Sequence, residues 1–334
     1  INLSDASQAR ALLQFVMKVA FVFEAIGAAL LALVFVPQFG ADGIFISVFI
    51  SISSFCNAGF DILGRVMPGG SVIPYQSTPY VLAVISLLII SGGLGFLVWQ
   101  DLSAYHRTHH LRTHTKLVLW ITGWLLLLGT AGILFMEYNN PLTLGPMNLF
   151  DKITNAAFQS VSARTAGYNS IPLGDMTNFT KIFMSLLMFI GAAPGSTGGG
   201  VKVTTIAVVI LTIRSVAQGR DDCVIHDHHI ESKTIYRALT IIMLGAVAAL
   251  GSAVVVYYNS AEAVTVIDAI FESCSAFGTV GLSVGVTGRL NTGAKLLYML
   301  VMFMGRVGPV SLAISLTAKP DDNKRKVMPV GHIN

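Results

Sequence analysis

Long apolar runs alternate along this chain with short, serine-bearing ones, and the alternation occurs three times. Val16–Val36 is the first long run, closed by Pro37 and carrying one acid, Glu24. The next segment, Ile44–Phe55, holds Ser47, Ser51, Ser53 and Ser54. It is too short and too polar to cross lipid, so it predicts a half-helix that dips into a membrane. Tyr80–Trp99 is then expected to span. In the second round Leu117–Met136 is expected to cross, Ala156–Ser162 to dip and Phe179–Arg214 to return in broken form. In the third, Ile235–Tyr257 crosses, Ile267–Phe277 dips and Lys295–Thr317 returns. The expected repeats cover 1–100, 117–214 and 235–317, joined by loops 101–116 and 215–234 and followed by a tail at 318–334.

The dips align on a glycine. Gly59, Gly167 and Gly281 stand 108 and 114 residues apart, each after a dip and before Phe60, Tyr168 or Leu282. Three span-dip-glycine-span units in succession indicate internal duplication.

Composition strengthens this picture. The chain is 54% hydrophobic and 11% charged, against about 25% charged in soluble domains, and its mean hydropathy is +0.71. It therefore reads as an all-α polytopic membrane protein; the alternating strands of an outer-membrane barrel are absent. The formal net charge of +4 is small, and the basic residues sit in loops, which speaks for topology and against a nucleic-acid partner. Thirteen lysines and arginines lie in the segments joining repeats and at the two ends, and six lie around the dips. The positive-inside rule then puts the joining loops in the cytoplasm and opens the dips to the outside. Cys56, Cys223 and Cys274 have no metal or redox spacing. No signal peptide precedes Ile1, so the natural start is expected upstream.

A half-helix inside a membrane leaves orphan carbonyls and a partial negative charge at its C-terminal end, both of which favour a cation. Glycine tolerates positive φ, so carbonyls of successive residues can turn the same way and replace an ion's hydration shell. On that basis the expected filter residues are Asn57, Ala58 and Gly59; Thr165, Ala166 and Gly167; and Thr279, Val280 and Gly281. A divalent ion would want converging carboxylates. None precedes these glycines, so the expected ion is monovalent. The alternative is re-entrant loops that only pack.

The return segment Phe179–Arg214 has 36 residues, about 54 Å as one helix against a core of about 30 Å. It must bend or unwind at Gly191-Ala-Ala-Pro-Gly-Ser-Thr-Gly-Gly-Gly200. Gly195-x4-Gly200 with Lys202 nearly spells a phosphate loop, but Val201 stands where the lysine belongs and no strand precedes it.

Together these features resemble the Trk/Ktr/HKT potassium transporter superfamily. The resemblance rests on Asn57–Phe60, Arg164–Tyr168, Gly278–Leu282 and the glycine-rich break in an inner span. Ala276–Leu282 and Phe303–Pro309 are most similar to the membrane subunit of bacterial Ktr systems. The resemblance implies span-pore-span units around a pseudo-fourfold pore, with K+ as the transported ion and sodium dependence left open. It further implies a homodimer in a bacterial plasma membrane, seated on a cytoplasmic ring of nucleotide-binding regulatory subunits. The family has four repeats and three are present here. The spacing puts a further glycine about 50 residues before Ile1, so about 100 N-terminal residues are expected to be missing.

The resemblance also makes Gly191, Gly195, Ser196, Thr197, Gly198, Gly199 and Gly200 an intramembrane gate under the filter, with Arg306 beside it. Arg306 lies midway along the last span and must find partners there. Bonding loop carbonyls, setting a barrier and tying helices are all open roles. Lys202 is expected to snorkel or cap the unwound turn, and Glu24 to make an inter-helix or subunit hydrogen bond. A sodium-coupled symporter with alternating access is the alternative to a pore. A membrane enzyme would need convergent catalytic groups, and only Glu24, Lys202 and Arg306 are available inside spans. Two histidine groups, His106, His109, His110 and His114, then His226, His228 and His229, lie in expected cytoplasmic loops without the cysteines of a zinc site.

Overall fold

The computed structural model describes residues 6–65, 68, 70–219, 224–225, 228–260 and 264–308. Eleven α-helices run among the described residues, with one two-residue hairpin at 224–225 and 228–229. The first unit is α1 (Ala6–Phe39), the short α2 (Asp42–Phe55), and then α3 (Pro79–Gly93) with α4 (Phe96–Thr108). The second is α5 (Thr113–Glu137), short α6 (Leu149–Ser162), α7 (Asn178–Phe189) and α8 (Val203–Ala217). The third is α9 (Ser232–Asn259), short α10 (Val266–Gly278) and α11 (Thr292–Val307).

Of the short helices, α2 packs against α1 and α3, α6 against α5, and α10 against α9 and α11. Each later one also packs on its predecessor: α6 lies against α3, and α10 against α7. That chain of contacts turns three sequence repeats into one body. Three described helices, from Arg10–Phe39, Thr113–Glu137 and Ser232–Asn259, are long and apolar enough to cross a membrane. Their outward faces carry bare apolar side chains such as Phe21, Phe135 and Met243, as lipid contact requires.

The starts of the short helices are written locally. Asn148 caps α6 by accepting the Asp151 N–H at 2.8 Å, and Thr265 caps α10 by accepting that of Asp268 at 3.1 Å. The cap starts α6 at Leu149, so the dip is longer than the expected Ala156–Ser162.

Tyr80–Trp99 is not a single span of bilayer length, because α3 ends at Gly93 and α4 leaves at 94°. The turn is made at Gly95, whose φ of +89° suits glycine and few other residues. The break at 190–202 is therefore one of two, and the two pair with each other. Described residues of the last expected span, Lys295–Thr317, end at Gly308; Pro309 and the tail lie outside them, as do Cys223 and His226.

Candidate functional site

The C-terminal ends of α2, α6 and α10 converge. Helices α2 and α10 finish alike, with a left-handed residue, Asn57 (φ +51°) or Thr279 (φ +52°), just past the last turn. The following N–H groups reach back to close the turn: Ala58 to the Ser53 carbonyl and Val280 to that of Ser275, both at 2.8 Å. This is the hydrogen-bond pattern of a Schellman cap, built here without glycine at the left-handed position. Thr165 (φ +80°) makes the corresponding turn after α6. Two residues on, Gly59, Gly167 and Gly281 have φ of +68°, +84° and +92°. Positive φ at alternate residues turns neighbouring carbonyls toward a common side.

The three glycines are neighbours in space. A methyl group on Gly59 would collide with the Ala166 carbonyl, and one on Gly167 with the Val280 carbonyl. Gly281 is the least crowded, with the Gly167 Cα at 3.7 Å from such a group. Asn57 Oδ1 and Thr165 Oγ1 are buried oxygens with no hydrogen-bond partner. Such acceptors are uncommon in folded proteins and are free to take a water or an ion.

The stretch following each glycine is tied to its own half-helix. The Ser53 hydroxyl binds both the N–H (2.9 Å) and the carbonyl (3.1 Å) of Phe60, and the Ser162 hydroxyl donates to the Tyr168 carbonyl. Tyr168 then crosses between units, giving its own hydroxyl to Ser53 Oγ at 2.7 Å.

The 191–200 loop lies directly against the three converging ends. Methyl groups on Gly198 and Gly199 would strike the hydroxyls of Thr165 and Thr279 respectively. Asn57 Nδ2 donates to Thr197 Oγ1 at 2.7 Å, and that hydroxyl donates to the Phe55 carbonyl at 3.2 Å. The loop is thus in contact with all three units. Its own ends are clipped together where Gly191 N–H donates to the Val201 carbonyl at 2.9 Å. Ser196 Oγ donates to the Ala193 carbonyl inside the loop.

Its far side rests on the break between α3 and α4. Thr197 N–H donates to Gly92 O (3.3 Å), Ala193 N–H to Gly93 O (3.1 Å), and Phe96 N–H to Gly195 O (3.0 Å). Backbone groups freed by one interruption are satisfied by the other, which is how non-helical chain persists at membrane depth. On the third side Gly200 N–H donates to the Gly305 carbonyl at 3.1 Å. Gly305 in turn fits so closely to the Phe277 carbonyl that no side chain can stand there.

Two cations hold the loop. Arg306 donates to the Thr197 carbonyl, and Lys202 Nζ to the Gly198 carbonyl at 2.7 Å. Of the open roles for Arg306, bonding loop carbonyls is the one with a contact. Glu24 is not free either: Cys56 Sγ lies 3.7 Å from its Oε1, and its backbone carbonyl accepts from Ser51 Oγ.

Two residues near these ends escaped sequence reasoning. Arg164 is 8% exposed, between the Gly93 break and Ala192, and its Nε has no partner. Glu272 is 4% exposed, inside α10. The signal was an ionisable residue within a dip for Glu272 and just past one for Arg164. Among the described residues no group of three or more His, Cys, Asp or Glu is arranged to hold a metal. Asp101, placed by its sequence in a solvated linker, is 7% exposed and accepts the Arg112 N–H at 2.8 Å.

Comparison with known proteins gives this arrangement a family. The TrkH family, described as "Cation transport protein", matches residues 4–326. The chain belongs to the TrkH family of cation transport proteins. It is 37% identical to the "Potassium/sodium uptake protein NtpJ" of Enterococcus hirae, over 96% of this chain and 70% of that protein. It is 36% identical to "Ktr system potassium uptake protein B" of Bacillus subtilis, over 92% of this chain and 69% of that one. The crystal structure of the potassium transporter TrkH from Vibrio parahaemolyticus has the same fold, with a TM-score of 0.70 at 17% identity. That match covers 95% of this chain and 65% of the solved one.

Proposed function

We propose that this TrkH-family protein takes up potassium through a pore whose filter is the backbone of Asn57–Gly59, Thr165–Gly167 and Thr279–Gly281. Potassium dehydrates against those carbonyls and passes inward when the 191–200 loop moves aside. The observation that carries the reading is the contact of that loop with all three glycine-bearing ends at once. An ion leaving the glycines meets Gly198 and Gly199 packed against Thr165 and Thr279, so passage requires displacement of the loop. The unpartnered oxygens of Asn57 and Thr165 are suitable ligands for a weakly hydrated cation.

Arg306 and Lys202 restrain the closed loop through the Thr197 and Gly198 carbonyls, and place positive charge where a cation would emerge. Both relatives above are named for potassium uptake, one of them for sodium as well. Likeness to a Ktr-system protein supports a homodimer in a bacterial plasma membrane on a nucleotide-binding regulatory ring, with 101–116, 214–237 and the tail as its docking surfaces. The distribution of lysines and arginines supports an outward-facing filter side.

The test is rubidium uptake by the intact transporter in potassium-uptake-deficient cells. Removing residues 195–199 should raise flux, and Gly→Ser at 59, 167 or 281 should weaken discrimination against sodium. Unchanged flux and unchanged discrimination would sink the reading. The helix breaks and the potassium/sodium relative also suit a sodium-coupled symporter. Uptake that saturates with sodium and shows no channel-like current would favour it.

A further inference from the structure

Glu272 sits in the middle of α10 with its carboxylate enclosed by the chain that returns from Gly281. Oε1 accepts from the Ser283 hydroxyl and from the Val286 N–H at 3.0 Å, and Oε2 accepts from the Thr287 hydroxyl at 3.1 Å. Ser283 Oγ also accepts the Gly285 N–H at 3.0 Å, which leaves its own proton for Glu272. Every one of these contacts is a donor, the environment of an acceptor-only carboxylate. No lysine or arginine among the described residues forms an ion pair with it. A buried charge without a counter-ion is costly, and the cost falls when a cation comes close.

A cavity beside Glu272 gives a cation room to come close. Glu272 lines a cavity of about 370 Å³ together with Ala58, Thr279, Val280 and Gly281. The other half-helices lack this charge. The matching bonds from Ala58 to Ser53 and from Val280 to Ser275 align Ile50 with Glu272. In α6 the neutral Gln159 does the tethering, with Oε1 accepting the Ser170 N–H at 3.4 Å. Tethering the return segment thus needs no charge, and among the three described units only α10 supplies one at this position.

We propose that Glu272 is a specificity-determining residue: its fixed negative charge offsets the dehydration of a monovalent cation beside Thr279–Gly281, while its hydrogen bonds position the segment Ser283–Thr287. The inference rests on the reading of Thr279–Gly281 as part of the filter. It assigns the ion path an electrostatic asymmetry that backbone carbonyls alone do not have.

The experiment is rubidium uptake and its inhibition by sodium in proteoliposomes, with the intact transporter carrying E272Q, E272D, T287V or G281S. E272Q keeps the shape and the hydrogen-bonding reach but removes the charge, and should raise the KM for rubidium several-fold. E272D should stay close to the parent. T287V removes one tether and leaves the charge, so it should lower thermal stability without moving KM. A parental KM in E272Q would overturn the proposal, as would a T287V shift as large as that of E272Q. If E272Q fails to reach the membrane, a KM in E272D raised as far as that of G281S would overturn it. G281S separates the two layers. If G281S leaves sodium discrimination intact, the filter reading itself fails. If G281S degrades discrimination while E272Q is silent, only the role of Glu272 is lost.

Discussion

Asn57 and Thr197 lie 140 residues apart in the chain and meet in a 2.7 Å hydrogen bond, the side-chain amide donating to the hydroxyl. Asn57 belongs to a glycine-bearing turn and Thr197 to the loop beneath it, so this one bond joins the proposed filter to the proposed gate. Thr197 is held a second time by its bond to the Phe55 carbonyl and a third by the Arg306 guanidinium on its own carbonyl.

Thr197→Val deletes both hydroxyl bonds and keeps the volume. A buried hydrogen bond is worth about 1 kcal/mol, and stranding its partner costs about 1–3 kcal/mol. Loss of that restraint should shift the loop toward its displaced form and raise basal rubidium flux by about tenfold for each 1.4 kcal/mol removed. Flux in uptake-deficient cells, normalised to protein in the membrane, checks it.

The loop glycines should respond unequally to alanine. Gly195 has φ +68° and open space around it, so Gly195→Ala meets only backbone strain, about 1–2 kcal/mol. Gly199 has an ordinary φ, but a methyl group there would run into Thr279 and lie 3.2 Å from the Gly278 carbonyl. Gly199→Ala should therefore alter flux and sodium discrimination together, whereas Gly195→Ala should alter neither by more than a few-fold. Equal phenotypes would mean that the loop does not rest against the filter.

Much of this architecture was legible because half-helices and spans differ in length and in serine content. The turns after Phe55, Ser162 and Gly278 were legible as well, since glycine at a fixed offset marks left-handed backbone. The break after α3 was missed. Gly92, Gly93 and Gly95 are embedded in an apolar run that averages out as a span, although three glycines in four positions are the same kind of signal as 191–200. The early start of α6 was hidden because Asp151, Lys152 and Asn155 interrupt the apolar pattern, while the cap at Asn148 sets the boundary. Pairings such as Asn57 with Thr197, or Glu272 with Ser283 and Thr287, depend on the folded path and leave no periodic trace.

Tyr168 ties two units behind the glycines, with its hydroxyl 2.7 Å from Ser53 Oγ and 3.0 Å from the Phe60 carbonyl. Tyr168→Phe keeps the fully buried ring and removes only that hydroxyl. The expected loss is about 1–2 kcal/mol, seen as a lower melting temperature in detergent, with weaker discrimination against sodium because Gly59 and Gly167 lose their shared brace.

Glu137 closes α5 with a wholly buried carboxylate. Oε1 accepts from the Thr177 N–H (2.9 Å) and the Thr180 hydroxyl (2.5 Å); Oε2 accepts from Asn140 Nδ2 (2.7 Å) and the Thr143 hydroxyl (2.5 Å). The four donors come from the α5–α6 connection and from the start of α7, so one side chain fixes how α7 enters. Glu137→Ala strands them all, at about 1–3 kcal/mol for each buried donor left unpaired, with loss of folded protein in the membrane. Glu137→Gln should be milder, because the amide oxygen still accepts two of the bonds.

The ion pair between Lys181 and Asp268, 2.8 Å long, is another tie near the starts of the short and return helices, joining α7 of the second unit to α10 of the third. The lysine side chain is 8% exposed and the aspartate 21%. Removing either partner should therefore destabilise more than a surface pair would, by leaving the other charge enclosed. Asp268 also accepts from the Thr265 hydroxyl at 2.8 Å, which holds it in place when the lysine is lost. Lys181→Met should thus be worse than Asp268→Asn combined with Lys181→Met. A double-mutant cycle on melting in detergent should return a coupling of about 1–3 kcal/mol. A coupling near zero would show that α7 and α10 are held together by their apolar contacts alone, through Met184, Met188 and Phe277.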